Sequence, residues 1–122
     1  MSRYPKIAVK RVYDKPSDGD GFRVLVDRLW PRGVSKDQLK IDKWMREVAP
    51  SNELRKWFSH DPAKWETFLQ RYRRELYDSG ELNKLVRELS VRPRVTLVYS
   101  ARDTRFNQAV ALKSFLEEKY SE

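Results

Sequence analysis

The chain reads as an α/β domain: a small sheet of about three strands, a helical crossover between its two core strands, and helices packed against the sheet. Two observations predict this. Phe22–Val26 and Val95–Tyr99 are short runs rich in apolar and β-branched residues, as buried strands require. Between them lies a long stretch of helical periodicity, the connection that parallel neighbours need.

The elements follow in order. Lys6–Tyr13 sets Ile7, Val9 and Val12 among Lys and Arg, a first strand with one wetter face. Asp14 to Gly21 is dense in turn formers and too short for a crossover helix, so the first two strands should be antiparallel or joined by a wide loop. Asp18 and Asp20 are spaced as in a calcium loop, but the closing Glu is missing, which leaves a solvated turn. After Phe22–Val26 come Asp27-Arg28 and Leu29-Trp30-Pro31-Arg32-Gly33, which turn the chain away. Ser35 or Asp37 can cap a short turn before Ile41, Trp44, Met45 and Val48, an i, i+3, i+4, i+7 stripe that predicts a helix. Pro50 ends it.

Ser51 then caps a brief helix with Leu54, Trp57 and Phe58 on one side. Asp61-Pro62 opens a longer one, in which Trp65, Phe68, Leu69, Tyr72 and Leu76 give the clearest apolar stripe. Ser79-Gly80 breaks it, and Ser79 can cap a helix with Leu82, Leu85, Val86 and Leu89 facing inward. Aromatic stripes at this spacing are core rather than a stacking platform. The strand Val95–Tyr99 is followed by a turn at Ser100-Ala101-Arg102-Asp103. A closing helix is expected from about Thr104 to Lys119, with Ala109, Val110, Leu112, Phe115 and Leu116 turned inward.

Composition narrows the function classes. At 122 residues the chain suits one domain. Its formal charge is +8, and the stretches 1–34, 35–60, 61–90 and 91–122 carry +4, +2, 0 and +2. The excess therefore falls on the two sheet-forming ends and favours anionic partners. No cysteine is present, which excludes disulfides, thiolate catalysis and cysteine metal sites. No run of signal-peptide or membrane-spanning length occurs, so a cytoplasmic location and no membrane partner are expected.

Charged residues just past the carboxyl ends of parallel strands are the usual place for a ligand in an α/β domain. If the two core strands lie side by side, Asp27-Arg28 and Ser100 to Asp103 end at one edge. Arg28, Arg32, Arg102 and Arg105 then offer guanidinium groups for phosphate or carboxylate, and Ser100 a hydroxyl. The helix opening after Asp103 would add free N–H groups. Asp27, Asp103 and His60, the only histidine, are the candidate proton-transfer groups. Each has a structural alternative: Asp27 and Arg28 as a neutralised strand end, Asp103 as a helix cap, His60 as a partner to a loop carbonyl. One His without Cys makes no usual zinc site, and no metal is assigned. No nucleotide-binding glycine loop, kinase set or G-x-S-x-G motif occurs, and the sequence names no cofactor.

These same residues carry a resemblance. Ser17-Asp18, the run Phe22-Arg-Val-Leu-Val-Asp-Arg-Leu-Trp-Pro-Arg-Gly33, Ala49-Pro50-Ser51, Leu54-Arg-Lys-Trp-Phe58, His60-Asp61-Pro62 with Trp65, Tyr72 to Leu76, and Leu97 to Asp103 with Asn107 resemble the YeaO-like branch of the domain-of-unknown-function 488 family. The likeness runs from about Lys10 to Leu116. It implies a small cytoplasmic α/β domain of prokaryotic type over 1–122 with no established activity, and it adds Asn107 to the anion-binding set. The wider family often places a Cys-His-Arg cluster after the last core strand, and this chain has none. Some closer relatives carry His before the Asn, where Phe106 stands here. A mechanism that draws a nucleophile or base from that helix therefore lacks its residues.

Three functions are thus set up. One is an anion pocket at the strand ends, with a small-molecule enzyme as its catalytic form. Another is a nucleic-acid module that uses the basic surface, with Trp30 as a stacking group. The third is a structural or interaction domain. Oligomeric state is open on all three.

Overall fold

The computed structural model describes residues 4–122. Four strands, β1 (Lys6–Arg11), β2 (Phe22–Leu25), β3 (Lys43–Trp44) and β4 (Arg94–Tyr99), form one sheet in the order β1-β4-β2-β3 with every pair parallel. The helices are α1 (Lys36–Leu39), α2 (Asn52–Phe58), α3 (Trp65–Ser79), α4 (Glu81–Leu89) and α5 (Gln108–Tyr120). Among the described residues no helix is long and apolar enough to cross a membrane.

The two core strands are neighbours, as expected: Phe22 pairs with Val95 and Leu25 with Val98. Their side chains alternate between two apolar layers, which is why both runs lack a polar face. Val24, Val26, Val95, Leu97 and Tyr99 meet the helices, in a core that includes Phe58, Phe68, Tyr72, Leu85, Leu112, Phe115 and Leu116. Leu25 and Val98 face the other way, against Val12, Leu39 and half-buried Trp30, Val34, Ile41 and Trp44. The aromatic stripe of α3 is core: Phe68 stacks on Phe58 with ring centres 4.2 Å apart, and the buried Tyr72 hydroxyl donates to the Val48 carbonyl.

Three expectations are corrected. First, β1 and β2 are not antiparallel; they are parallel and flank β4, joined by the wide-loop alternative with one 3-10 turn at Asp18–Asp20. That loop is held by buried charge. Asp20 accepts from Lys10 at 3.0 and 3.1 Å, from Arg23 at 2.7 Å and from the Ser17 amide at 3.0 Å. Burial opposes ionisation of Asp20, yet these donors together hold its carboxyl at about 2. Arg23, only 4% exposed, spends its remaining donors on the carbonyls of Leu39 and Lys40. Asp20 is therefore a structural ion-pair centre, and Thr96 on β4 donates to its backbone carbonyl.

Second, Ile41 to Val48 is not a helix. Ser35 caps only the one-turn α1, which Lys40 closes in the left-handed conformation at φ 49°. The chain then pairs with β2 as a fourth, edge strand, with Met45 N–H donating to Leu25 O at 2.9 Å, and a 3-10 turn at Arg46–Val48 follows. The stripe had the right residues buried but the wrong period, because pairing to β2 overrides it. Third, α5 begins at Gln108 rather than Thr104. Asp103 turns the preceding loop on itself, accepting from the Arg105 and Phe106 amides, and the cap is Asn107, whose Oδ1 accepts from Val110 N–H at 2.9 Å. Val110 is only half-buried.

Elsewhere the expected signals place the helices. Ser51 caps α2 through Leu54 N–H, and Asp61 caps the 3-10 turn at Pro62–Lys64 that leads into α3. Gly80, at φ 76°, ends α3 and starts α4, while Ser79 accepts from Glu81 N–H.

Candidate functional site

At the carboxyl edge of the sheet, β2 and β4 end side by side, with Val26 N–H still donating to Val98 O at 3.0 Å. Asp27 follows immediately and is 7% exposed. Its Oδ2 accepts from the Ser100 amide at 3.0 Å and the Ser100 hydroxyl at 2.5 Å; its Oδ1 accepts from Gln108 Nε2 at 2.5 Å. One carboxylate therefore ties the end of β2 to the end of β4 and the first residue of α5. Neither Asp27 nor Arg28 forms a salt bridge among the described residues, so the strand end is not neutralised by Arg and Asp partners as the structural alternative required. Arg28 turns to the segment before α2 and donates from Nη2 to the carbonyls of Ala49 and Pro50 at 3.2 and 3.3 Å. Its Nε–H is buried and bonded to no protein group.

These residues line a pocket of about 380 Å³. Arg28, Arg32 and Arg55 contribute guanidinium groups to its lining, Asp27, Ser100 and Gln108 contribute polar groups, and Trp30, Pro31, Pro50, Phe58 and Phe68 contribute apolar surface. None of the three arginines forms a salt bridge among the described residues. Tyr13 also lines the pocket, and its hydroxyl donates to Arg32 O at 3.2 Å.

Burial raises the Asp27 carboxyl above its ordinary value; the bonds from Ser100 and Gln108, and the more distant Arg55 charge, offset this only in part. The sign follows from linkage. A carboxyl raised on folding favours the native state below its unfolded-state value, and that contribution is lost as pH rises through the folded-state value. Ionised Asp27 thus weighs against folding at neutral pH. The stability of Asp27→Asn relative to the parent, from urea unfolding at pH 4 and pH 7, should shift in the variant's favour at pH 7. A difference that is flat, or that moves the other way, would contradict a raised carboxyl.

The remaining candidates separate. His60 lines the pocket, sits at φ 54°, and bonds Phe106 O through Nδ1 at 2.9 Å, which places the proton of the neutral ring on Nδ1. Asp103, Arg102 and Asn107 lie outside the pocket lining. The amides of Phe106 and Arg105 hold the Asp103 carboxyl below its ordinary value. Asn107 is fully buried, capping α5 and donating from Nδ2 to Asp103 O at 2.8 Å. Arg102 and Arg105 are exposed. Because α5 starts late, its first turn meets Asp27 through Gln108 instead of presenting open amides after Asp103.

Among the polar lining residues, Tyr13, Arg55 and Gln108 were not sequence candidates. Arg55 stands beside the buried Leu54 on α2, where spacing marks it only as outward-facing. Gln108 lies inside the helix expected from Thr104, so nothing marked it as the first residue of that helix. Conversely, Trp30 is not a free stacking face: its Nε1 donates to Val34 O at 2.6 Å and its ring packs edge-on to Trp44.

An all-parallel sheet with helices packed against it, and a pocket at the strand ends lined by both guanidinium groups and apolar side chains, defines the class: a small α/β fold. The chain belongs to the family DUF488-N3i, described as the inactive DUF488-N3 subclade, whose model matches residues 6–122. It falls in the YeaO-like branch of that family. It is 42% identical over 110 residues to the uncharacterized protein YeaO of Escherichia coli K12, covering 90% of this chain and 96% of that one. It is also 42% identical over 116 residues to the uncharacterized protein Rv3073c of Mycobacterium tuberculosis H37Rv, covering 95% and 98%. No solved structure matches it at a significant level.

Proposed function

We propose that the pocket binds a small anionic metabolite, through phosphate or carboxylate, and holds it without transforming it. One observation carries this: Arg28, Arg32 and Arg55, from two separate segments, line a single pocket and none is neutralised by a protein carboxylate within salt-bridge distance. Guanidinium groups suit planar or tetrahedral oxyanions bidentately. The buried, unbonded Nε–H of Arg28 supports the same reading.

The polar groups favour binding over catalysis. Ser100 gives both its hydroxyl proton and its amide to Asp27, so neither a His-activated nucleophile nor an oxyanion donor is set up there. His60 has one ring nitrogen committed to a backbone carbonyl. The family's description as inactive agrees with this, and the missing Cys-His-Arg cluster fits it. A nucleic-acid role loses its stacking group, since Trp30 is packed and bonded. A cytoplasmic location, where phosphorylated metabolites are abundant, accords with the reading.

The test is a thermal-shift screen of phosphorylated and carboxylated metabolites. A true ligand at about a hundredfold excess over Kd should stabilise by about 2.7 kcal/mol, roughly 10 °C for a domain of this size. Arg55→Ala, which removes an exposed side chain, should weaken binding at least about tenfold with little change in unliganded Tm. Arg28→Ala is less clean, since it also releases the Ala49 and Pro50 carbonyls. If no anion stabilises the protein, or if Arg55→Ala and Arg32→Ala respond as the parent does, the proposal fails.

A further inference from the structure

Resting on the anion-pocket reading, we infer that the ligand carries a hydrogen-bond donor as well as an anion, a hydroxyl or ammonium group that Asp27 receives. The argument is a count of what the protein leaves unmatched. A carboxylate can accept about four hydrogen bonds. Oδ2 of Asp27 takes two, from Ser100 N and Oγ, and Oδ1 takes one, from Gln108. One acceptor position remains on Oδ1, on a residue 7% exposed that lines the pocket.

Its neighbour Ser100 has the same polarity. Ser100 has one hydroxyl proton and gives it to Asp27, so what its oxygen can still offer is lone pairs. Gln108 gives one Nε2–H to Asp27 and keeps a second N–H beside its amide oxygen, so it can meet either polarity. The pocket therefore presents two opposite sets: guanidinium groups that only donate, and an Asp27-Ser100 pair that can only accept further bonds. A bare anion satisfies the first set and leaves the second facing ligand atoms of like polarity. The three donors to Asp27 are all uncharged groups, and its cationic neighbour in the pocket, Arg55, lies beyond salt-bridge distance. A hydroxyl or ammonium group on the ligand would complete its coordination.

Matched probes separate this inference from the reading on which it rests. Calorimetric titration would compare propyl phosphate, 3-hydroxypropyl phosphate and 3-aminopropyl phosphate, then butyrate, 4-hydroxybutyrate and 4-aminobutyrate. The donor-bearing members should bind at least about tenfold tighter than their matched alkyl anion, the effect of one added charge-assisted hydrogen bond. Equal or weaker binding of both donor-bearing members would overturn the inference while leaving the anion pocket standing. Failure of every member of both series would remove the anion pocket, and this inference with it. The wild-type ratio decides without any variant. Asp27→Asn adds the assignment: the ratio should collapse toward one, and a ratio unchanged from the parent would show that Asp27 does not receive the donor.

Discussion

Arg23→Met is expected to destabilise the protein by about 3–5 kcal/mol, the cost of removing one partner from a buried ion pair. Arg23 is 4% exposed and holds Asp20 at 2.7 Å. The same guanidinium satisfies the carbonyls of Leu39 and Lys40, where the chain leaves α1 to enter β3. Met keeps the apolar stem but leaves a buried carboxylate with Lys10 as its one remaining salt-bridge partner among the described residues, and two carbonyls without that donor. Urea unfolding measures the loss, and Lys43→Met, which breaks the exposed pair with Glu88, is the control, expected to lose far less. The pH dependence is specific. Asp20 is held down at about 2, so its contribution is full above the unfolded carboxyl value and fades as pH falls toward 2. The gap between Arg23→Met and the parent should therefore narrow in acid. A loss below about 1 kcal/mol at pH 7 would mean that the pair is not a keystone of the loop.

Gly21→Ala should cost about 3 kcal/mol or more, by a different route. Gly21 sits at φ 66°, and a Cβ there would lie 2.4 Å from Arg94 O and 2.8 Å from Arg94 C on β4. Backbone in the middle of a sheet cannot yield as a flexible side chain can, so strain and overpacking add. Gly80→Ala is the informative comparison. It shares the left-handed φ, at 76°, but a Cβ there meets nothing within 4 Å, so only the conformational penalty of about 1–2 kcal/mol applies. Equal losses in the two variants, read from urea unfolding, would place the whole effect in the backbone conformation and none in the contact with β4.

Much of the scaffold was legible because it rests on local signals. The apolar runs of β2 and β4, the capping residues Ser51 and Asp61, and the stripe of α3 each follow from period, propensity or a side-chain oxygen placed before a helix. That Asp27, Arg28 and Ser100 lie together at one pocket was legible because all three directly follow two strands whose apolar runs made them neighbours. What escaped depends on distant partners. Met45 and Val48 are buried and Ile41 and Trp44 half-buried, all turned inward as their spacing suggested, but the edge of β2 decides their conformation, and no property of 41–48 encodes that edge. Asp103 and Asn107 both carry capping side chains, and local chemistry does not choose between them. Arg55 and Gln108 enter the site only once α2 and α5 are docked.

The position of β4 between β1 and β2 governs when the sheet can exist during synthesis. Lys6 on β1 pairs with Arg94, and Phe22 on β2 pairs with Val95, so both early strands wait for β4 until the whole helical crossover has been made, and until then β2 has only the two-residue β3 beside it. A nascent chain ending before residue 94 has helices and two edges but no central strand. Parallel pairings of such long range close slowly, and the unpaired strands are the segments that invite misassembly while they wait. The helices of the crossover, with their local contacts, are the part able to form early, and the pocket at the strand ends, which needs Ser100 and Gln108, is completed only after β4.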